Sequence, residues 1–263
     1  MRDLACLIWA ATLMTAVFGS AVRADTITLR DWADQSVLVH RVTKSVCLLF
    51  VGSSTSVHLD DVAESSARLM ARTGTLGIMA AADLELAADV ATLTRSARQI
   101  AAGDRHSVAV SLLLRTNPRL SSRYADKRID APTTVSAQLR PSYALVQDLR
   151  VMSQKFQRDL CLFLTDLAPE DAASVFSDDI DHFEHALAQL IEGDRAAGMA
   201  AAPNIHIKVT LGKVFAKWKT LKPILQTAAS GDVLDPRDAQ LASVLGDAML
   251  ANLDEVSARF EAL

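Results

Sequence analysis

Slid along itself, the chain matches in four places and in the same order, and this internal repeat constrains its fold more than any other feature. Gln35 to Phe50 (QSVLVHRVTKSVCLLF) lies over Leu149 to Leu164 (LRVMSQKFQRDLCLFL), with Cys47 and Cys161 coincident at an offset of 114. Asp60-Asp61-Val62 through Leu69 matches Asp178-Asp179-Ile180 through Leu187, and Ala102-Gly103-Asp104 matches Ser230-Gly231-Asp232. The tails agree as well, Leu112 to Asp126 lying over Ala248 to Ala262. The offset grows along the chain, so the second copy carries insertions in its loops. The pattern reads as a duplication, and it requires two similar units.

Each unit reads as helical. With 50% hydrophobic and 22% charged residues and only 10 Gly and 7 Pro in 263, the chain is neither disordered, collagen-like nor of low complexity. Aromatics are few, Ala and Leu abundant, and alternating β-branched runs are missing, which points to an all-α fold. In the first copy the helical stretches run roughly Thr28–Phe50, Thr55–Arg72, Ala81–Ala102 and His106–Lys127, with Pro118 expected to kink the last. In the second they run roughly Ser142–Leu164, Pro169–Glu192, Asn204–Gln226 and Pro236–Leu263. Asp235-Pro236 supplies a cap followed by proline at the first helical position, and Gly193 follows a helix end. Residues 129–141, holding Pro132 and Pro141, form a linker between modules at 25–128 and 142–263. The expected architecture is two tandem up-down four-helix bundles related as a pseudo-dimer, since short loops force antiparallel neighbours.

Residues 1–24 stand apart. Met1-Arg2 precedes an apolar run from Leu4 to Phe18, and Val22 and Ala24 are spaced like a cleavage site. The run is shorter than the roughly 20 residues a spanning helix needs, so it reads as a cleavable signal peptide and implies an exported protein of the bacterial periplasm. A disulfide is permitted there. The net charge of −4 argues against a nucleic-acid partner, which would demand a basic face.

The second copy carries a family resemblance. Arg150-Val151-Met152-Ser153-Gln154-Lys155 early in a helix that ends Leu160-Cys161-Leu162-Phe163-Leu164, then Phe183, Leu187, Trp218 and a closing Asn252-Leu253-Asp254-Glu255-Val256, together resemble the NarX-like or PilJ-type input domain. It is also described as the type IV pili methyl-accepting chemotaxis transducer N-terminal domain, and its hallmark is an Arg-Met-Leu-Ser-Gln-Arg run. The resemblance implies a periplasmic four-helix sensor module, here without the usual transmembrane helices and kinase or methyl-accepting region, so that two fused modules take the place of a sensor dimer. It also implies a small-anion site, nitrate or nitrite in the family's sensors, with Arg150 in place of the anion-binding arginine; the first-copy counterpart of Arg150 is Ser36. The implied partner is a membrane sensor kinase, a chemotaxis transducer or a transporter.

Helical spacing adds a separate reading of the same residues. Arg150, Gln154, Gln157 and Cys161 are spaced by four, three and four, and eleven residues return to within about 20° of the starting direction. Ser36, His40, Thr43 and Cys47 make the matching stripe in the first copy. Facing each other about a pseudo-twofold axis, the stripes would enclose a polar chamber with Arg150 and His40 as its cations, suited to an oxyanion. Alternatively, Arg150 pairs with a carboxylate such as Asp148 or one on a neighbouring helix. Cys47 and Cys161 would bridge if both face the axis, or serve as two small buried hydrophobes.

Asp178, His182 and His185 share helix faces and form the best metal candidate; the alternative is a solvated acidic face. Lys208, Lys213, Lys217, Lys219 and Lys222 would pair with that face or stay in water, and Trp218 and Phe215 are expected in the core. No catalytic, phosphate-loop, haem or zinc pattern occurs, so neither enzyme nor cofactor is expected. Three functions remain: a small-anion or small-molecule sensor module in signal transduction, a ligand-free module that docks on a transducer, and a metal-binding helical protein.

Overall fold

The computed structural model describes residues 27–52, 55–75, 83–104, 107–194, 196 and 198–263; residues 1–24, read from the sequence as a signal peptide, lie outside them. Those residues form eight helices: α1 (Leu29–Val51), α2 (Thr55–Thr75), α3 (Leu84–Ala101), α4 (Ser107–Ile129), α5 (Arg140–Leu164), α6 (Ala172–Glu192), α7 (Ile205–Ala229) and α8 (Pro236–Glu261). No strand occurs among the described residues, only an isolated bridge between Asp194 and Met199. None of these helices is long and apolar enough to cross a membrane.

Local chemistry sets several ends. Thr28 and Asp31 close a reciprocal capping box at the start of α1, and Gly52 stops that helix with φ +77°. Asn204 accepts from the Ile207 N–H ahead of α7, and Asp235 from the Arg237 N–H ahead of α8. Helix α6 begins at Ala172 instead of Pro169, because residues 169–171 form a turn. α4 continues through Pro118, where the missing N–H leaves the Leu114 carbonyl without its usual donor.

The helices pack in two groups. α1 lies against α2, α3 and α4, while α2 meets α3 and α3 meets α4; likewise α5 lies against α6, α7 and α8, while α6 meets α7 and α7 meets α8. The main helix contact between the groups is α1 on α5. The linker is tied down by the Leu29 N–H, which donates to the Pro132 carbonyl at 2.8 Å, and by Arg140, which donates to the Ala131 carbonyl at 3.0 Å.

The second group is centred on aromatics: Phe156 stacks near Phe176, Phe183 and Trp218, with the Phe183 and Trp218 rings 4.4 Å apart. The first is mainly aliphatic, built on Val39, Leu69, Leu86, Val90 and Leu93, with Trp32 against Tyr124. Trp218 is fully buried, but Phe215 is not core: it is 38% exposed and carries the Lys219 ammonium 4.7 Å over its ring. Position, not residue type, separates the two, since Phe215 falls on the outer side of α7.

α1 and α5 are buried on nearly every side. One face of each fills its own core and another meets the opposite helix, so polar residues on the second face are removed from water and must find partners.

Candidate functional site

Asp34 meets Arg150, Lys44 meets Gln157 and Cys47 meets Cys161, so contacts advance together along both helices. α1 and α5 therefore run parallel and in register. Cys47 and Cys161 are joined as a disulfide with their Cα atoms 6.0 Å apart, and the Thr165 hydroxyl lies 3.6 Å from the Cys47 sulfur. That bridge closes one end of the seam, among Leu48 and Leu162.

Arg150 occupies the other end. Its Nη2 lies 2.5 Å from an Asp34 oxygen and 2.6 Å from an Asp254 oxygen, its Nε donates to Asp254 at 2.7 Å, and Nη1 donates to the Gln147 side-chain oxygen at 2.5 Å. Burial works to lower the Arg150 pKa, but the charges of Asp34 and Asp254, with their hydrogen bonds, outweigh it and raise it. The guanidinium stays charged. It lines a cavity of about 300 Å³ together with Arg30, Arg41, Arg68 and Arg72, against the carboxylates of Asp34 and Asp254. Arg72 also pairs with Asp34 at 2.5 Å, Arg41 with Asp61 at 3.3 Å, Arg68 with Glu64 at 3.3 Å, and Arg30 with Glu261. The buried Nε of Arg41 has no hydrogen-bond partner among the described residues.

Midway along the seam lie two further networks. The Lys44 ammonium, 1% exposed, donates to Gln157 at 3.0 Å and to both Asp247 oxygens at 3.0 and 3.1 Å, and Gln154 donates to the same Asp247 at 3.0 Å. Burial lowers the Lys44 pKa, opposed by the Asp247 charge. Gly246 makes the approach possible: a Cβ there would stand 2.1 Å from Nε2 of Gln157. In the second network Arg158 donates to Asn117 at 2.5 Å and to Nδ1 of His40 at 3.1 Å, while Asn117 donates to Thr43 at 2.8 Å. A guanidinium only donates, so Nδ1 of His40 accepts and the ring proton sits on Nε2. Burial, then the charges of Arg158, Lys155 and Arg128, hold the His40 pKa well below its ordinary value, and the ring is neutral.

These contacts correct the expected single chamber. Ser36, His40, Thr43, Arg150, Gln154 and Gln157 are all buried, but they divide among separate networks, and Ser36 donates back to the Trp32 carbonyl of its own helix at 3.1 Å. His40 is not a second cation beside Arg150. Besides Arg150, the cations that join the seam are Lys44 and Arg158, which the stripes missed although they align at the same 114 offset as the cysteines. Arg30, Asp34 and Arg41, spaced by four and seven on one helix face, were equally legible.

The metal candidate does not come together. Asp178, His182 and His185 lie exposed on α6, and among the described residues no group of three or more His, Cys, Asp or Glu could hold a metal ion. The residues between them, Ile180 and Phe183, take the inward face. Asp179 on the same helix pairs with Lys155, and Glu184 with Lys222 at 2.5 Å.

In comparison with known proteins, no family model, no curated protein and no solved structure matches the chain.

Proposed function

We propose that the chain is a periplasmic module that binds a small oxyanion and reports its occupancy to a membrane sensor kinase, chemotaxis transducer or transporter. In this reading the two helix groups are tandem up-down four-helix bundles of the NarX-like or PilJ type, related by duplication, and the parallel α1 and α5 stand where two subunits of a sensor would meet. The observation that carries it is the cavity around Arg150, where five guanidinium groups converge and the Arg41 Nε is unspent. Planar donor forks suit nitrate, nitrite or a similar oxyanion, and partial burial strengthens each contact. Binding exchanges a carboxylate for the ligand, and Asp254, whose side chain is 44% exposed, is the one able to turn towards water.

Thermal unfolding against nitrate, nitrite and sulfate at constant ionic strength tests this. A ligand at 100 times its Kd adds about 2.7 kcal/mol of stability. The expected result is a saturable shift for at least one oxyanion that disappears in Arg150→Ala and weakens in Arg72→Ala. The absence of any shift abandons the anion.

A second reading is favoured by one fact: each lining arginine already has a carboxylate partner. The cluster then serves as an ion-pair network within a ligand-free module that docks on a transducer. Capture of that membrane partner would be unchanged by Arg150→Ala and indifferent to oxyanions.

A further inference from the structure

A second cavity of about 300 Å³ opens beside the Arg158 network, between α4, α5 and the start of α6. Its volume falls at the lower end of the range for small-molecule sites. The walls are mostly apolar, with Leu114 and Pro118 from α4, Leu162 from α5, and Val175 and Phe176 from α6. Its polar lining is Lys155, Arg158 and Asp159 from α5, Asn117 and Ser121 from α4, Thr43 from α1 and, just ahead of α6, Asp171; the two cations stand together on the α5 side.

The hydrogen-bond inventory of those groups is not full. A guanidinium has five N–H donors and an ammonium three. Arg158 directs Nε and one Nη2 hydrogen to Asp159, and its Nη1 hydrogens to Asn117 and His40. Lys155 meets Asp159 at 3.2 Å and Asp179. One N–H remains on Arg158 and one on Lys155 among the described contacts. His40 is neutral behind them and competes for no anion.

We infer that this cavity binds a small monocarboxylate with an apolar body: the carboxylate takes the spare donors of Lys155 and Arg158, and the hydrocarbon part lies against Leu114, Pro118, Leu162 and Phe176. The site is separate from the arginine-lined cavity and does not depend on its ligand. A neutral amide of the same shape keeps the apolar contact but loses the ion-pair attraction, and it offers the two cations one acceptor oxygen in place of two. Val175, 49% exposed, stands in the lining, where a larger side chain can fill the space.

Isothermal titration of the protein with 3-phenylpropionate and 4-methylpentanoate, with 3-phenylpropanamide as the neutral control, tests the inference. Expected are saturable binding of at least one acid, at least tenfold weaker binding of the amide, a loss of tenfold or more in Lys155→Gln, and abolition in Val175→Trp, with Arg150→Ala unaffected. Circular dichroism checks that each variant is folded, and the acid-against-amide comparison on the unaltered protein needs no variant. No binding of either acid, equal binding of acid and amide, or binding that survives in folded Val175→Trp overturns the inference.

Discussion

Lys44 on α1 and Arg158 on α5 occupy aligned positions on parallel helices, yet each reaches across the seam to a different kind of partner. Lys44 meets the carboxylate of Asp247 on α8 and is sealed from water. Arg158 meets the neutral Asn117 on α4 and the neutral His40, draws its counter-charge from its own neighbour Asp159, and borders a cavity. The two environments teach that a repeated charge need not make a repeated site. On one side the charge is spent on an ion pair, on the other it keeps donor capacity next to open space.

The register that aligns these positions is held by the disulfide, so its removal has the largest expected effect. Replacing Cys47 and Cys161 together with serine should cost about 2–4 kcal/mol in denaturant unfolding, because the bridge closes a long loop in the unfolded chain. An unchanged midpoint would mean that the packing of α1 on α5 sets the register alone.

Next comes the contrast itself. Asp247→Ala leaves the Lys44 ammonium buried with only Gln157, and should cost about 2–3 kcal/mol, moderated because the Asp247 side chain is 43% exposed. Lys44→Met in the same chain should restore most of that loss, as an apolar replacement of both charges removes the unpaired one. Asn117→Ala should cost less, about 1–2 kcal/mol, because Arg158 keeps Asp159. Equal losses in Asp247→Ala and Asn117→Ala would erase the distinction drawn between the two sides.

The smallest expected effect is in pH dependence. With the His40 pKa lowered in the fold, the unfolded chain binds the extra proton first, so this residue makes stability fall as pH drops below about 6.5 and leaves it unaffected above. Unfolding midpoints between pH 7.5 and 5 should show that slope, and His40→Gln should flatten it. A slope of the same steepness in His40→Gln assigns the dependence to other groups.

Much of the helical content was legible because apolar periodicity and end signals are local: the capping box at Thr28, Asn204 before α7 and Asp235-Pro236 before α8 each act within one turn. The buried face of α5 was legible too, since Arg150, Gln154 and Gln157 fall on one stripe. The division of that stripe was not. Gln154 and Gln157 turn to Asp247 and Lys44 because α8 comes close at Gly246, while His40 and Thr43 turn to Arg158 and Asn117 because α4 closes the other side. Helical spacing assigns a face a single neighbour, whereas here each stripe has two: α1 and α8 for the stripe on α5, α5 and α4 for the stripe on α1.

By itself, the sequence determined the all-α character of the described residues, their eight helices and two matching polar faces, because helix periodicity and caps depend on residues a few positions apart. Tertiary structure alone decided that Arg150 joins four arginines from α1 and α2, that Lys44 is sealed against Asp247, and that Arg158 borders a cavity. Those outcomes depend on which distant side chains are carried to the seam, and a buried charge takes whichever partner the packing brings within reach.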